Sequence, residues 1–224
     1  EDPLLAGVYG AEWSLGMQYD KNSSSPPLGP AAAGELMAVA TLKHVFAYSL
    51  ENWSPDGNYT SKTGMYRRGS FDSKVSAFDL EDTYFQPFKR AIGSGGAAGV
   101  MYACDKLNGV PPPGSAEVAA KLRSWGMDGY RTTDGNGICG MSAKNLRNYT
   151  TTASMAVRAG LLDGESDIDD GPCYAEHLAD AYNEGLVNIS SIRRALANTF
   201  RVRFRLGLFE GGSTGRRARQ PPWN

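Results

Sequence analysis

Apolar residues along the chain fall into two kinds of run. Short strand-like runs end in polar residues or glycine: "VATLKHVFAY" (Val39 to Tyr48), "GAAGVMYAC" (Gly96 to Cys104) and a weaker "MDGYRTTD" (Met127 to Asp134), with a fourth candidate in "RAGLLDGESDI", Arg158 to Ile168. Between them lie stretches of helical period. "DLEDTYFQPFKRAI" opens with Asp79 as a candidate N-cap and puts Leu80, Tyr84, Phe85, Phe88 and Ile92 on one face, with Pro87 expected to kink or split the helix. "SAEVAAKLRSW", "TTASMAVRAG" and "YAEHLADAYNEGL" read as further helices. The last helix, Ile189 to Leu206, places Ile192, Leu196, Phe200 and Phe204 at steps of four, an expected apolar face. Its arginines Arg193, Arg194, Arg201, Arg203 and Arg205 read as a solvated face.

Strand and helix thus alternate, which implies an α/β fold with a parallel sheet and helices outside it. The repeat length fits a (β/α)8 barrel, yet only about four units are visible where a whole barrel needs ~250 residues. The expectation is a partial TIM barrel, roughly its C-terminal half. The long polar stretch Glu51 to Asp72 follows the first strand, on the face where barrel enzymes build their sites.

Composition narrows the function classes. Of 224 residues 41% are hydrophobic, and 23 basic side chains face 24 acidic ones. A net charge of -1 gives no electrostatic reason to expect nucleic acid or an anionic membrane as partner. No apolar run approaches the ~18 residues of a membrane span. The only cationic cluster is the tail, residues 212–224, with "GRRARQPPWN", expected to be disordered or docked on a partner. Three cysteines, Cys104, Cys139 and Cys173, permit one internal disulfide and leave one thiol. With two histidines and no paired ligand spacing, no metal site is expected. The acids Asp163, Glu165, Asp167, Asp169 and Asp170 lack the spacing of a calcium loop and read as a solvated acidic loop. Asn-x-Ser/Thr triplets at Asn22, Asn58, Asn148 and Asn188 are glycosylation candidates; a fifth at Asn52 is weakened by Pro55. Their density points to a secreted, extracellular or vacuolar protein.

The stretch "SWGMDGYRTTDGNG" places Asp134 directly after a strand-like run and before a glycine-flanked loop. An Asp-Gly pair is a common turn, and a carboxylate at a strand end is also where a barrel enzyme keeps its chemistry.

Six segments occur in a telling order: "EDPLLAGVYGAEWSLGMQ", "LKHVFAYSLENW", "VSAFDLEDTYFQPFKRAI", "GVMYACDKLNGVPPPG", "LRSWGMDGYRTTDGNG" and "ANTFRVRFRLGLFEG". In this order they resemble glycoside hydrolase family 3, especially its β-xylosidase and β-glucosidase branch, over Glu1 to about Gly211. The resemblance implies a barrel domain at residues 1–211. It makes Asp134 the match to the catalytic nucleophile, and Lys43 and His44 the match to the pair that holds sugar hydroxyls. It implies a β-linked sugar or oligosaccharide as substrate and no cofactor. A retaining glycosidase needs an ionised carboxylate ~5 Å from a protonated one, so Asp134 calls for nearby donors or a cation. Glu51-Asn52-Trp53 is closer to the xylosidase branch, which tilts the expected sugar towards pentosides.

Departures from the family pattern shape a second expectation. The family's sugar-binding Gly-Arg motif, first barrel strands and general acid fall outside these residues, so the chain reads as a piece of a longer protein. Cys104 and Asp105 stand where the family has Tyr-Asn, and Arg131 and Thr132 replace apolar strand residues. The alternative is therefore a catalytically degenerate relative, acting as a structural or carbohydrate-binding component of a larger assembly. Either way, further chain or a protein partner is expected to cover the open barrel side.

Overall fold

The computed structural model describes residues 2–19, 35–53, 66–67, 69–142 and 147–209. Asn22, Asn58, the tail 212–224 and most of the stretch between Glu51 and Asp72 lie outside the described residues.

The first helix, α1 (Pro3–Gln18), starts where Asp2 accepts hydrogen bonds from the amides of Leu4 and Leu5, both at 2.9 Å, with Pro3 at its first position. Its last residue, the fully buried Gln18, joins helix to sheet. Its side chain donates to Gly96 O at 2.8 Å and accepts from the amides of Ala40 (3.1 Å) and Ala98 (2.9 Å). Those amides precede strands β1 (Thr41–Val45) and, after the short elements β2 (Asn52–Trp53), β3 (Tyr66–Arg67) and β4 (Asp72–Ser73), β5 (Gly99–Tyr102). One amide side chain thus satisfies the entrances of two strands.

Strand β6 (Lys106–Leu107) pairs with β4, and β7 (Tyr130–Thr133) completes a three-stranded parallel sheet in the order β1-β5-β7. The α/β class with a parallel sheet expected from the alternation is what the fold shows. The fourth expected strand shrinks to one parallel bridge between Ile168 and Thr132. Arg158 and its neighbours wind into helix instead, because Thr152 caps α5 (Ala153–Arg158) and the winding continues through Asp163.

Between β4 and β5 the helical segment begins three residues earlier than expected. Ser76 rather than Asp79 is the cap, its hydroxyl accepting from Asp79 N at 3.0 Å ahead of α2 (Ala77–Asp79). Pro87 splits the helix as expected. A proline has no amide for the helical ladder, and the turn before it widens so that Phe85 N bonds Leu80 O at 2.8 Å, ahead of α3 (Gln86–Gly93). α3 and α4 (Ala116–Ser124) cover one face of the sheet around Phe46, whose ring sits 4.7 Å from Phe85, 5.1 Å from Phe88 and 5.7 Å from Trp125. Each such aromatic contact adds about 0.5–1.5 kcal/mol to simple burial.

A second core gathers α5 and α6 (Cys173–Asn183) about Ile138, Met141 and Val157. A Cys139–Cys173 disulfide closes it, leaving Cys104 as the remaining thiol. The last helix, α7 (Ile189–Arg205), differs from its expected orientation. Ser191, Ala195, Thr199 and Val202 face inward, whereas Leu196, Phe200 and Phe204 are exposed. Small residues let α7 approach β7 closely, and the bulky row is left outward. Its arginines are not simply solvated: Arg194 reaches Leu161 O, Arg201 donates to Asp128 O at 2.6 Å, and Arg205 to Tyr19 Oη at 3.1 Å.

The acidic loop is corrected as well. Asp163 pairs with Arg158 at 2.7 Å, Glu165 meets Arg123, Arg131 and Arg194, and Asp167 lies beside Arg131 with no side-chain exposure. Arg131 sits within β7 because these carboxylates receive its guanidinium. Glu165 and Asp167 thus belong to an inward-facing charge cluster, since unpaired charges at that depth would be strongly unfavourable, while Asp170 remains exposed.

Candidate functional site

Three parallel strands running side by side bring their C-terminal ends to one edge, the position where α/β sheets accommodate ligands. Here that edge joins His44 in β1, Cys104 two residues beyond β5, and Asp134 immediately after β7. Register explains His44. Lys43 faces Met101 and Val45 faces Tyr102, so His44 is the extra residue of a bulge, a device that re-aims a side chain.

Asp134 is half-buried, its side chain 17% exposed, and held by directed contacts. Gly135 N donates to Oδ1 at 2.7 Å, Cys104 Sγ donates to Oδ2 at 3.2 Å, and His44 Nε2 lies 3.6 Å from Oδ2. The first two bonds favour the ionised carboxylate. The loop that carries it is fixed too. Gly137 N closes a turn onto Asp134 O at 2.9 Å, Asn136 N bonds Asp170 O at 2.8 Å, and Thr133 Oγ1 accepts from Asp170 N at 3.1 Å. On its other side His44 packs its ring 5.0 Å from that of Tyr48, whose hydroxyl donates to Glu51.

The sequence named three site residues. His44 and Asp134, 90 positions apart, meet. Lys43 is exposed one residue before His44 and makes no ion pair with Asp134 among the described residues. Among the described residues a buried cation, Arg147, at 2% exposure, interacts electrostatically with Asp134 and Asp105. Sequence reasoning passed over it because an arginine in the polar run "SAKNLRNYT" carries no sign of burial. Asp105, 1% exposed, is turned away from the edge: its Oδ2 accepts from Ser73 Oγ at 2.8 Å, and burial pushes its carboxyl up to about 6, against the lowering effect of the Ser73 bond and Arg147.

Among the described residues no cluster of histidine, cysteine and carboxylate side chains is arranged to hold a metal ion, and no helix is long and apolar enough to cross a membrane. Of the glycosylation candidates, Asn148 and Asn188 are exposed; Asn188 also caps α7 by accepting from Ser191 N at 2.9 Å.

No protein-family model matches the chain. It is 34% identical over 223 residues to the probable β-D-xylosidase 6 of Arabidopsis thaliana, covering 94% of this chain and 26% of that protein. It is 32% identical to a β-xylosidase/α-L-arabinofuranosidase of Medicago sativa subsp. varia, covering 94% and 25%. Among solved structures, a GH3 exo-β-xylosidase in complex with a xylobiose aziridine activity-based probe superposes with a TM-score of 0.78 at 26% identity, over 94% of this chain and 25% of that one. A β-glucosidase from Listeria innocua shares the fold, with a TM-score of 0.72 at 20% identity. The chain spans about a quarter of the length of the curated relatives it matches.

Proposed function

The chain belongs to glycoside hydrolase family 3, and on that footing we propose that it is part of a retaining, exo-acting β-glycosidase with Asp134 as its nucleophile. The sheet β1-β5-β7 and its helices are then a segment of a (β/α)8 barrel, residues 1–211 forming one domain. The observation that carries the reading is the meeting of His44 and Asp134, at 3.6 Å, on the C-terminal edge of parallel strands.

In this mechanism Asp134 attacks the anomeric carbon as the glycosidic bond breaks, and a protonated carboxyl gives its proton to the leaving oxygen. Water then hydrolyses the glycosyl-aspartate and releases the sugar with retained configuration. The Gly135 amide and the Cys104 thiol keep Asp134 oriented, while His44 and the exposed Lys43 bind sugar hydroxyls. Asp105 does not serve as the proton donor, because it is 1% exposed and faces Ser73. The substrate class is a β-linked pentoside, in keeping with the names of the plant relatives. Exposed Leu5, Tyr9 and Trp13 on α1, with Phe204 on α7, mark the side that further chain or a partner covers. A secreted or vacuolar location is supported by the disulfide and by the exposed Asn148 and Asn188.

The test uses a 2-deoxy-2-fluoro-β-xyloside with an activated leaving group, followed by peptide mass mapping. A covalent label on Asp134 is expected. Binding of xylose without any label would replace this reading with that of a carbohydrate-binding relative that has lost catalysis.

A further inference from the structure

Among the described residues Arg147 is the largest of the fully buried side chains. Its Nε donates to the carbonyl of Cys104, and its Nη1 donates to the carbonyl of Gly137 at 3.0 Å. These two carbonyls belong to the pieces of main chain that hold Asp134. Cys104 presents its thiol to Oδ2, and Gly137 closes the turn on Asp134 O. The slot for the guanidinium exists because position 140 is glycine: a Cβ there would lie 2.4 Å from Nη1. Arg147 N completes the enclosure by donating to Gly140 O at 3.1 Å.

A planar fork reaching two carbonyls at once is a task for arginine rather than lysine. Burial disfavours the charge on Arg147, and its interactions with Cys104, Asp105 and Asp134 act the other way. The attraction is mutual, so a cation fixed at that place favours an ionised Asp134.

We propose that Arg147 is a positioning residue for the nucleophile, locking the Cys104 and Gly137 main chain around Asp134 and holding a fixed positive charge near its carboxylate. It touches no substrate. The inference rests on the reading of Asp134 as nucleophile.

The experiment compares Arg147→Met and Arg147→Lys with the parent in the full protein. One readout is the titration of the Asp134 carboxyl by carbon-13 NMR. The other is the pH dependence of labelling by an activated 2-fluoro-β-xyloside, whose leaving group needs no acid. The methionine variant is expected to move the Asp134 midpoint upward, carry the acid limb of labelling with it, and slow labelling on the order of 10²-fold. Lysine is expected to restore the midpoint while labelling stays slow, because an ammonium lacks the fork. A folded methionine variant with the parent's midpoint and rate would overturn the inference. Should that variant not fold, lysine decides: slow labelling at an unmoved midpoint supports it, and the parent's rate overturns it. A parent that takes no label defeats the nucleophile reading instead, and the midpoint comparison still decides whether Arg147 sets the charge of Asp134.

Discussion

Replacing Asp105 with asparagine separates the cost of a buried charge from the value of its hydrogen bonds. Asp105 is 1% exposed, its Oδ1 finds no partner among the described residues, and its Oδ2 meets Ser73 Oγ at 2.8 Å. Ser73 Oγ also lies 3.2 Å from Ala47 O. A hydroxyl has one hydrogen for two such contacts. A protonated Asp105 supplies the second, donating to Ser73, which then donates to Ala47. Burial, opposed by the Ser73 bond and by Arg147, moves the carboxyl from its ordinary 3.8 up to about 6. Between those values the folded protein keeps a proton that the unfolded chain has released. Stability from this group is therefore full below about pH 4 and falls as pH rises to about 6. The displacement corresponds to at most about 3 kcal/mol. Asparagine is neutral throughout, so Asp105→Asn is expected to match the parent within about 1 kcal/mol at pH 4 and to exceed it by about 1.5–3 kcal/mol at pH 7. Urea unfolding followed by tryptophan fluorescence from pH 4 to 7.5 measures this. Asp167, also raised to about 6 chiefly by burial, titrates in the same window and leaves the variant roughly half of the parent's slope. An unchanged slope, or a variant less stable than the parent at pH 7, refutes the reasoning.

Gly164→Ala puts a Cβ 1.8 Å from Pro113 O, a main-chain atom that cannot swing aside, and is expected to cost about 1–3 kcal/mol or more, read as a lowered Tm. Cys139→Ser opens a loop spanning 34 positions, for which chain entropy gives about 4 kcal/mol, checked by denaturation with and without reductant on the parent. Tyr102→Phe removes the bond from a fully buried hydroxyl to Gly164 O at 2.6 Å, an expected loss of about 1–2 kcal/mol in the same assay.

What the sequence disclosed follows from how local each signal is. The positions of β1 and β5 were legible because each lies in a short, largely apolar run ending at a polar or glycine residue, a pattern made by burial of that segment alone, whereas β7, with Arg131 and Thr132 in it, left only a weaker trace. The split at Pro87 was legible for the same reason: a missing amide acts on its own turn. α7 was misread because periodicity reports which residues are apolar, whereas packing against β7 selected small ones. Ser191, Ala195 and Thr199 permit a close approach that Leu196, Phe200 and Phe204 do not. The acidic loop was misread because its meaning lies in partners far along the chain, Glu165 meeting Arg123 and Arg131, and Arg194 beyond it.

The site divides along the same line. His44 and Asp134 could be named because each sits at the end of a strand-like run within a recognisable order of segments. Arg147 could not, since its partners are carbonyls, and every residue offers a carbonyl regardless of its identity. The sequence does bear a trace of it, in the glycine at position 140 and in the absence of any side chain that would fill the slot. A guanidinium needs two acceptors in one plane and space for itself: the turn after Asp134 provides one acceptor, Gly137 O, and the space at Gly140, and the main chain just beyond β5 provides the other, Cys104 O. Any variant that fills position 140 should therefore disturb Asp134 as removal of the arginine does. Gly140→Ala is expected to slow labelling of Asp134, although position 140 lies six residues beyond the nucleophile and its new methyl group would meet the guanidinium.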